Sequence, residues 1–172
     1  MKGTIVNCLE ALVTKKYGAG KWKESLERAG MEESRTFTML GDVDEAEFIK
    51  LMEGFARAAS LSMEQVIEAF GEHWSTEYAP NVYQAYFSGV RNARELLLNL
   101  DHIHEVMTKS MKSARPPRFR YEWKGEKELI MHYESDRGLV ILMPALIRGV
   151  GKYYKERLTA QVVGNAVHVH FP

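Results

Sequence analysis

Ala114-Arg115-Pro116-Pro117-Arg118-Phe119-Arg120-Tyr121-Glu122-Trp123-Lys124-Gly125 is where this sequence changes from one kind of pattern to another. Two consecutive prolines cannot continue a helix, since each lacks an N–H and crowds the preceding turn. Beyond them Phe119, Tyr121 and Trp123 alternate with charged residues, Lys124-Gly125 turns, and Leu129, Met131 and Tyr133 alternate back. A period of two on both sides of a glycine turn predicts a β-hairpin.

Upstream the apolar period is that of a helix. Lys2 to about Tyr17 reads as the first helix, with Ile5, Leu9, Leu12 and Val13 on one face and Gly18-Ala19-Gly20 ending it. A second runs from about Lys21 to Ala29 and stops at Gly30. Asp44 and Glu47 have capping-box spacing before Phe48, Leu51, Met52 and Phe55; Ser62 and Gln65 repeat it before Val66, Ala69, Phe70 and Trp74. A short piece near Val82–Ser88 leads past Gly89 into a long helix with Leu96, Leu97, Leu100, Ile103, Met107 and Met111 on one stripe. Up to about residue 110 no strand pattern occurs.

Downstream, Leu139 to Tyr154 predicts a helix, with Leu142, Leu146, Val150 and Tyr153 on one side and Pro144 tolerated only in its first turn. Leu158–Val163 and Ala166–Phe171 form a second hairpin around Gly164-Asn165. Helices followed by a ββαββ block predict an α+β fold, a helical lobe over about 1–113 and a four-stranded antiparallel sheet lobe over about 114–172.

Hydrophobic residues make up 45% and charged residues 27% of 172, the composition of one globular domain. Lys plus Arg and Asp plus Glu both number 23, which argues against nucleic acid as a partner. The basic run Lys109, Lys112, Arg115, Arg118 and Arg120 reads as a solvated helix end and loop. A lone Cys8 excludes an internal disulfide or multi-cysteine metal site and reads as a small buried hydrophobe. There is no signal-peptide pattern and no run near the ~18 apolar residues of a membrane span, so the expected compartment is the cytoplasm.

Two features carry chemistry. His104 lies beside the apolar stripe, where an imidazole either bonds a core carbonyl or ligates a metal. His102, two residues away, points ~200° round the helix. On a strand Tyr133, Ser135 and Arg137 share one face, a row ~13 Å long of phenol, hydroxyl and guanidinium suited to carboxylates. Such a row is either a polar strand face in water or a carboxylate site, and Leu129 and Met131 on the same face argue that it is covered. His73, His132, His168 and His170 read as surface or strand-face residues, and His168 with His170 leaves a surface metal site open.

A metal ligand on an apolar helix and carboxylate-binding donors on a strand together suit haem. His104, the Pro116-Pro117 break and Tyr133-x-Ser135-x-Arg137, in this order, with the opening Met1-Lys2-Gly3-Thr4-Ile5-Val6, resemble the haem-nitric oxide/oxygen-binding (H-NOX) family over nearly the whole chain. The resemblance implies haem b buried between the lobes, with His104, in an Asp101-x-x-His104 spacing, as the iron ligand. Tyr133, Ser135 and Arg137 would hold the propionates, and Pro117 would press on the porphyrin. The distal side would be lined by Ile5, Leu9, Trp74, Tyr78, Leu142 and Leu146, with Trp74 packing on the ring. Oxygen-binding members carry a tyrosine where this chain has Leu142, so NO and CO are the expected ligands and stable O2 binding is not expected.

In the family's mechanism NO weakens the bond to the histidine and the lobes shift. The signal would go to a separate histidine kinase or diguanylate cyclase, with no catalytic residue and no membrane involved. A peroxidase-like enzyme would need distal acid–base groups that Ile5, Leu9, Leu142 and Leu146 do not supply. An O2 sensor using Trp74 or Tyr78 as donor, and a haem-free module binding an apolar carboxylate, are the rivals.

Overall fold

The computed structural model describes residues 1–109 and 114–172; Met111 of the apolar stripe and Lys112 of the basic run lie outside the described residues. Helices followed by one four-stranded antiparallel sheet give the α+β architecture expected. The chain forms two compact units, Met1–Phe70 and Gly71–Pro172.

The first unit holds α1 (Thr4–Tyr17), α2 (Ala19–Arg28), α3 (Glu45–Ala59) and most of α4 (Met63–His73). Gly18 at φ 88° ends α1, its N–H donating to the Thr14 carbonyl. Leu9, Leu12 and Val13 are buried on α1 and Phe48, Leu51, Met52 and Phe55 on α3, in the helical spacing predicted, whereas Ile5 is half-buried and its neighbour Val6 is buried instead. Cys8 is fully buried, as expected. The two capping signals differ in outcome. Ser62 and Gln65 exchange reciprocal bonds of 3.2 and 2.8 Å. Asp44 instead accepts from the Ala46 N–H at 2.7 Å, and Glu47 turns away to Arg35 at 2.8 Å. Lys2 forms a bridge with Asp42, so the first helix opens at Thr4 and the N-terminal region is not purely helical.

The second unit begins with the end of α4, which continues as a π-helical turn, Trp74–Tyr78, then α5 (Ala79–Val82), α6 (Gln84–Ser88) and α7 (Ala93–Thr108). After the double proline come β1 (Arg118–Lys124) and β2 (Glu128–Glu134), a 3-10 turn (Leu139–Leu142), α8 (Met143–Tyr153), β3 (Thr159–Val163) and β4 (Ala166–His170). The strand order is β1-β2-β4-β3, antiparallel throughout. Alternation sends Phe119, Leu129, Met131, Tyr133, Val167 and Val169 into a core shared with Leu96 and Leu97 of α7 and Ile147 of α8. The opposite face carries Arg120, Glu122, Glu128, His132, His168 and His170.

Pro144 sits in the first turn of α8, where its missing N–H costs no bond. Where α8 crosses the π turn the backbones nearly touch: a Cβ at Gly149 would stand 2.7 Å from the Gly71 carbonyl oxygen. Buried Ser75 donates to the Leu146 carbonyl there, at 2.9 Å. Among the described residues no helix is long and apolar enough to cross a membrane.

Candidate functional site

The His104 ring is oriented by a polar contact, its Nδ1 lying 3.0 Å from the carbonyl oxygen of Pro117. A carbonyl can only accept, so Nδ1 carries the hydrogen, and in the neutral ring Nε2 is left with its lone pair. Burial lowers the imidazole pKa, outweighing the opposite effect of the Pro117 carbonyl, and the nearby Arg118 and Arg137 charges add to the lowering. The ring is thereby kept neutral, as a metal ligand must be. His102, the rival, has a side chain 73% exposed, facing Glu105 at 4.0 Å. Of the expected stripe, Leu96 and Leu97 are buried, whereas Leu100, Ile103 and Met107 are half-buried.

A clamp absent from the sequence-based expectations sits one helical turn before His104. Asp101 accepts from Arg118 Nε at 2.8 Å, Arg118 Nη2 at 2.7 Å and the Phe119 N–H at 2.8 Å. The Arg118 bonds are the main cause of a carboxyl pKa held down to about 2. The Asp101 N–H in turn donates to the Tyr121 hydroxyl at 3.2 Å, and burial pushes that phenol up to about 12. Three successive residues, Pro117, Arg118 and Phe119, thus fasten α7 to the start of β1 through carbonyl, side chain and N–H. The signal in the sequence was an acid one turn before the histidine and an arginine directly after the prolines.

The ring of Phe119 connects the histidine to the polar row, 5.8 Å from His104 and 5.9 Å, edge-on, from Tyr133. Tyr133 is buried in the sheet, as predicted. The single straight row along one strand is not formed, because β2 ends at Glu134. Ser135 lies past that end, its Oγ accepting the Arg137 N–H at 3.3 Å, and Gly138 at φ 67° turns the chain. The in–out alternation nevertheless persists: Glu134 and Asp136 are exposed, Ser135 and Arg137 half-buried. Asn165, in the β3–β4 turn, brackets Tyr133, accepting from its N–H at 3.0 Å and donating to its carbonyl at 2.5 Å.

Trp74 and Tyr78, four apart in the π turn, stack on each other with centroids 5.6 Å apart, and Tyr83 stands 6.3 Å from Trp74. Leu142 is buried and Leu146 half-buried. Ile5 and Leu9 belong to the first unit, Ile5 half-buried and Leu9 wholly buried. Pro117 is half-buried.

His132 meets Glu122 at 3.1 Å, and His168 and His170 both face Glu128, all on the outer sheet face as expected. His73 departs from the surface placement expected for it. It is only 7% exposed, because α4 turns it inward, with Nδ1 3.7 Å from Glu77. Among the described residues no three His, Cys, Asp or Glu side chains already converge to hold a metal ion. An iron already carried by a prosthetic group would need no such cluster, only the His104 nitrogen. The donor set fits a prosthetic group with carboxylate arms: one neutral, oriented imidazole, then phenol, hydroxyl and guanidinium.

A family model described as haem-NO-binding matches residues 2–162. A soluble guanylate cyclase of Caenorhabditis elegans is 31% identical over 145 residues, 82% of this chain and 20% of that protein. The beta-2 subunit of soluble guanylate cyclase from Rattus norvegicus is 30% identical over 92 residues, 52% of this chain and 14% of that one. The chain thus spans about a fifth or less of the length of these curated relatives. Among solved structures, an oxygen-binding H-NOX domain related to soluble guanylate cyclases, in its oxygen complex, superposes with a TM-score of 0.81 at 26% identity, covering 99% of this chain and 95% of that one. A mutant H-NOX of T. tengcongensis gives a TM-score of 0.81 at 25% identity, covering 99% and 97%.

Proposed function

This chain belongs to the haem-NO-binding (H-NOX) family of gas-sensor domains, and from that premise we propose that it senses nitric oxide at ferrous haem b bound through His104. The observation that carries the residue assignment is the Nδ1–Pro117 contact, which orients the imidazole and leaves Nε2 as the ligating atom. Arg137, Ser135 and Tyr133 would take the propionates, with Arg137 supplying the charge and the two hydroxyls further bonds. Pro117 would serve twice in this reading, through its carbonyl on the histidine and through its ring in holding the haem.

Ferrous haem would supply the open coordination position at which NO or CO binds. The chain decides which gas is retained. Bound O2 carries partial negative charge and is stabilised by a nearby hydrogen-bond donor, whereas NO and CO depend on one far less. Leu142 and Leu146, like Ile5 and Leu9 of α1, have no hydrogen to donate, so O2 is not held. Strain at His104 passes along α7 to the Asp101–Arg118 clamp, and from there to an effector partner, a histidine kinase or a diguanylate cyclase. The domain itself senses and does not catalyse.

The test is the absorption spectrum of reduced protein in argon, in air and with NO. The expected result is a Soret band that ignores air and moves with NO, with His104→Gly losing the ferrous histidine signature. A stable shift in air would transfer the reading to an O2 sensor with Tyr78 or Trp74 as donor. Absence of any Soret band after haem is supplied would overturn the haem assignment in favour of an apolar carboxylate ligand.

A further inference from the structure

We propose that His168, His170 and Glu128 form a site for a divalent cation of the zinc class on the outer face of the sheet. Residues two apart on a strand share a face, which places both β4 imidazoles on one side. The register pairs Glu128 with His170 and Ile130 with His168, so the Glu128 carboxylate lies between the two rings. Its Oε1 is 2.7 Å from His168 Nδ1 and 3.8 Å from His170 Nε2.

In a tetrahedral zinc site with ligands at 2.0–2.1 Å, donor atoms stand roughly 3.3 Å apart. The two distances straddle that value. Among the described residues the three donors do not form a group that could hold an ion as they stand, so the site requires His170, whose side chain is 53% exposed, to turn toward Glu128. Glu128 and His168 are only 14% and 19% exposed, which holds the other two donors in place. Lys124 Nζ approaches the opposite carboxylate oxygen, Oε2, at 3.8 Å and leaves Oε1 to the ion. Thr159 and Gln161 of β3 complete the surroundings, opposite His170 and His168. Water fills the fourth position. Binding requires both rings neutral, His168 carrying its hydrogen on Nε2. The bound ion would cross-link β2 to β4. Neither the site nor its effect depends on the haem reading.

The test titrates the full chain, treated with chelator and then freed of it, with zinc chloride alone, followed by calorimetry and thermal melting. Expected are one saturable site and a raised melting midpoint. Glu128→Gln and His170→Ala should each weaken binding tenfold or more. His170 is exposed, so that variant keeps the fold even if the Glu128 change does not. His132→Ala, on the same face but paired with Glu122, should leave binding unchanged. No saturable binding, unchanged affinity in His170→Ala, or an equal loss in His132→Ala would each overturn the proposal.

Discussion

Replacing Asp101 with Asn removes a negative charge while preserving shape, so it isolates the electrostatic part of the clamp beside His104. The wild-type carboxylate accepts three hydrogen bonds, two from Arg118 and one from the Phe119 N–H. Its pKa of about 2 lies below the ~3.9 of an unfolded aspartate. A depression of that size corresponds to at most about 2.6 kcal/mol of stability at neutral pH. Solvent screens part of this, since Arg118 is 49% and Asp101 23% exposed, leaving about 1–2 kcal/mol. A depressed carboxyl contributes fully above the unfolded pKa and loses its contribution as pH falls through the folded one. Roughly half should be gone near pH 3. Urea unfolding of both proteins, followed by circular dichroism at pH 7, 5 and about 3, measures the difference directly. Asp101→Asn should be less stable by about 1–2 kcal/mol at pH 7 and 5, the gap halving near pH 3. Equal stability at pH 7, or a gap that ignores pH, would refute the reasoning.

Gly149→Ala tests the contact of α8 with the π turn. Its new Cβ would stand 2.7 Å from the Gly71 carbonyl oxygen, so a backbone must move, at about 1–3 kcal/mol and with a lowered melting midpoint; an unchanged midpoint would disprove the close approach. Leu142→Tyr adds a phenol at a buried position and should raise O2 affinity of the ferrous protein tenfold or more, with NO binding retained. An unaltered spectrum in air would remove the distal-donor account of gas selectivity.

Most of the architecture could be read from periodicity because each element buries one face. Phe48, Leu51, Met52 and Phe55 kept helical spacing, and Phe119, Tyr133, Leu129 and Val169 kept strand spacing, as burial demanded. Polar side chains with more than one available partner were harder to place. Glu47 had capping-box spacing but found Arg35, twelve residues away, and left Asp44 to cap alone. Ser135 and Arg137 matched a strand period, yet a strand needs a ladder partner, and the β1–β2 pairing ends at Arg118 opposite Glu134.

His73 follows Val66 and Phe70 at helical spacing and shares their buried stripe, but it was misplaced on the surface because a polar side chain was not counted as part of that face. The π turn is invisible in the sequence, since it accompanies packing of the Trp74–Tyr78 segment against α8, with Ser75 bonded to the Leu146 carbonyl. At the site, His104 and Tyr133 could be singled out by residue type and position. The tautomer of His104 could not, because it depends on a carbonyl thirteen residues downstream.

The bracketing of Tyr133 by Asn165 has a bearing on the order of folding. Both bonds join positions 32 residues apart, and they close the end of β2 just where the Tyr133-x-Ser135-x-Arg137 stretch begins. During synthesis β1 and β2 can pair as soon as they emerge, but Tyr133 has no backbone partner at Asn165 until the second hairpin has formed. Contacts so distant along the chain close late, since loop entropy must be overcome before they stabilise anything. The local hairpin would therefore come first, and the geometry around Tyr133 would be set last, when the turn at Gly164-Asn165 docks.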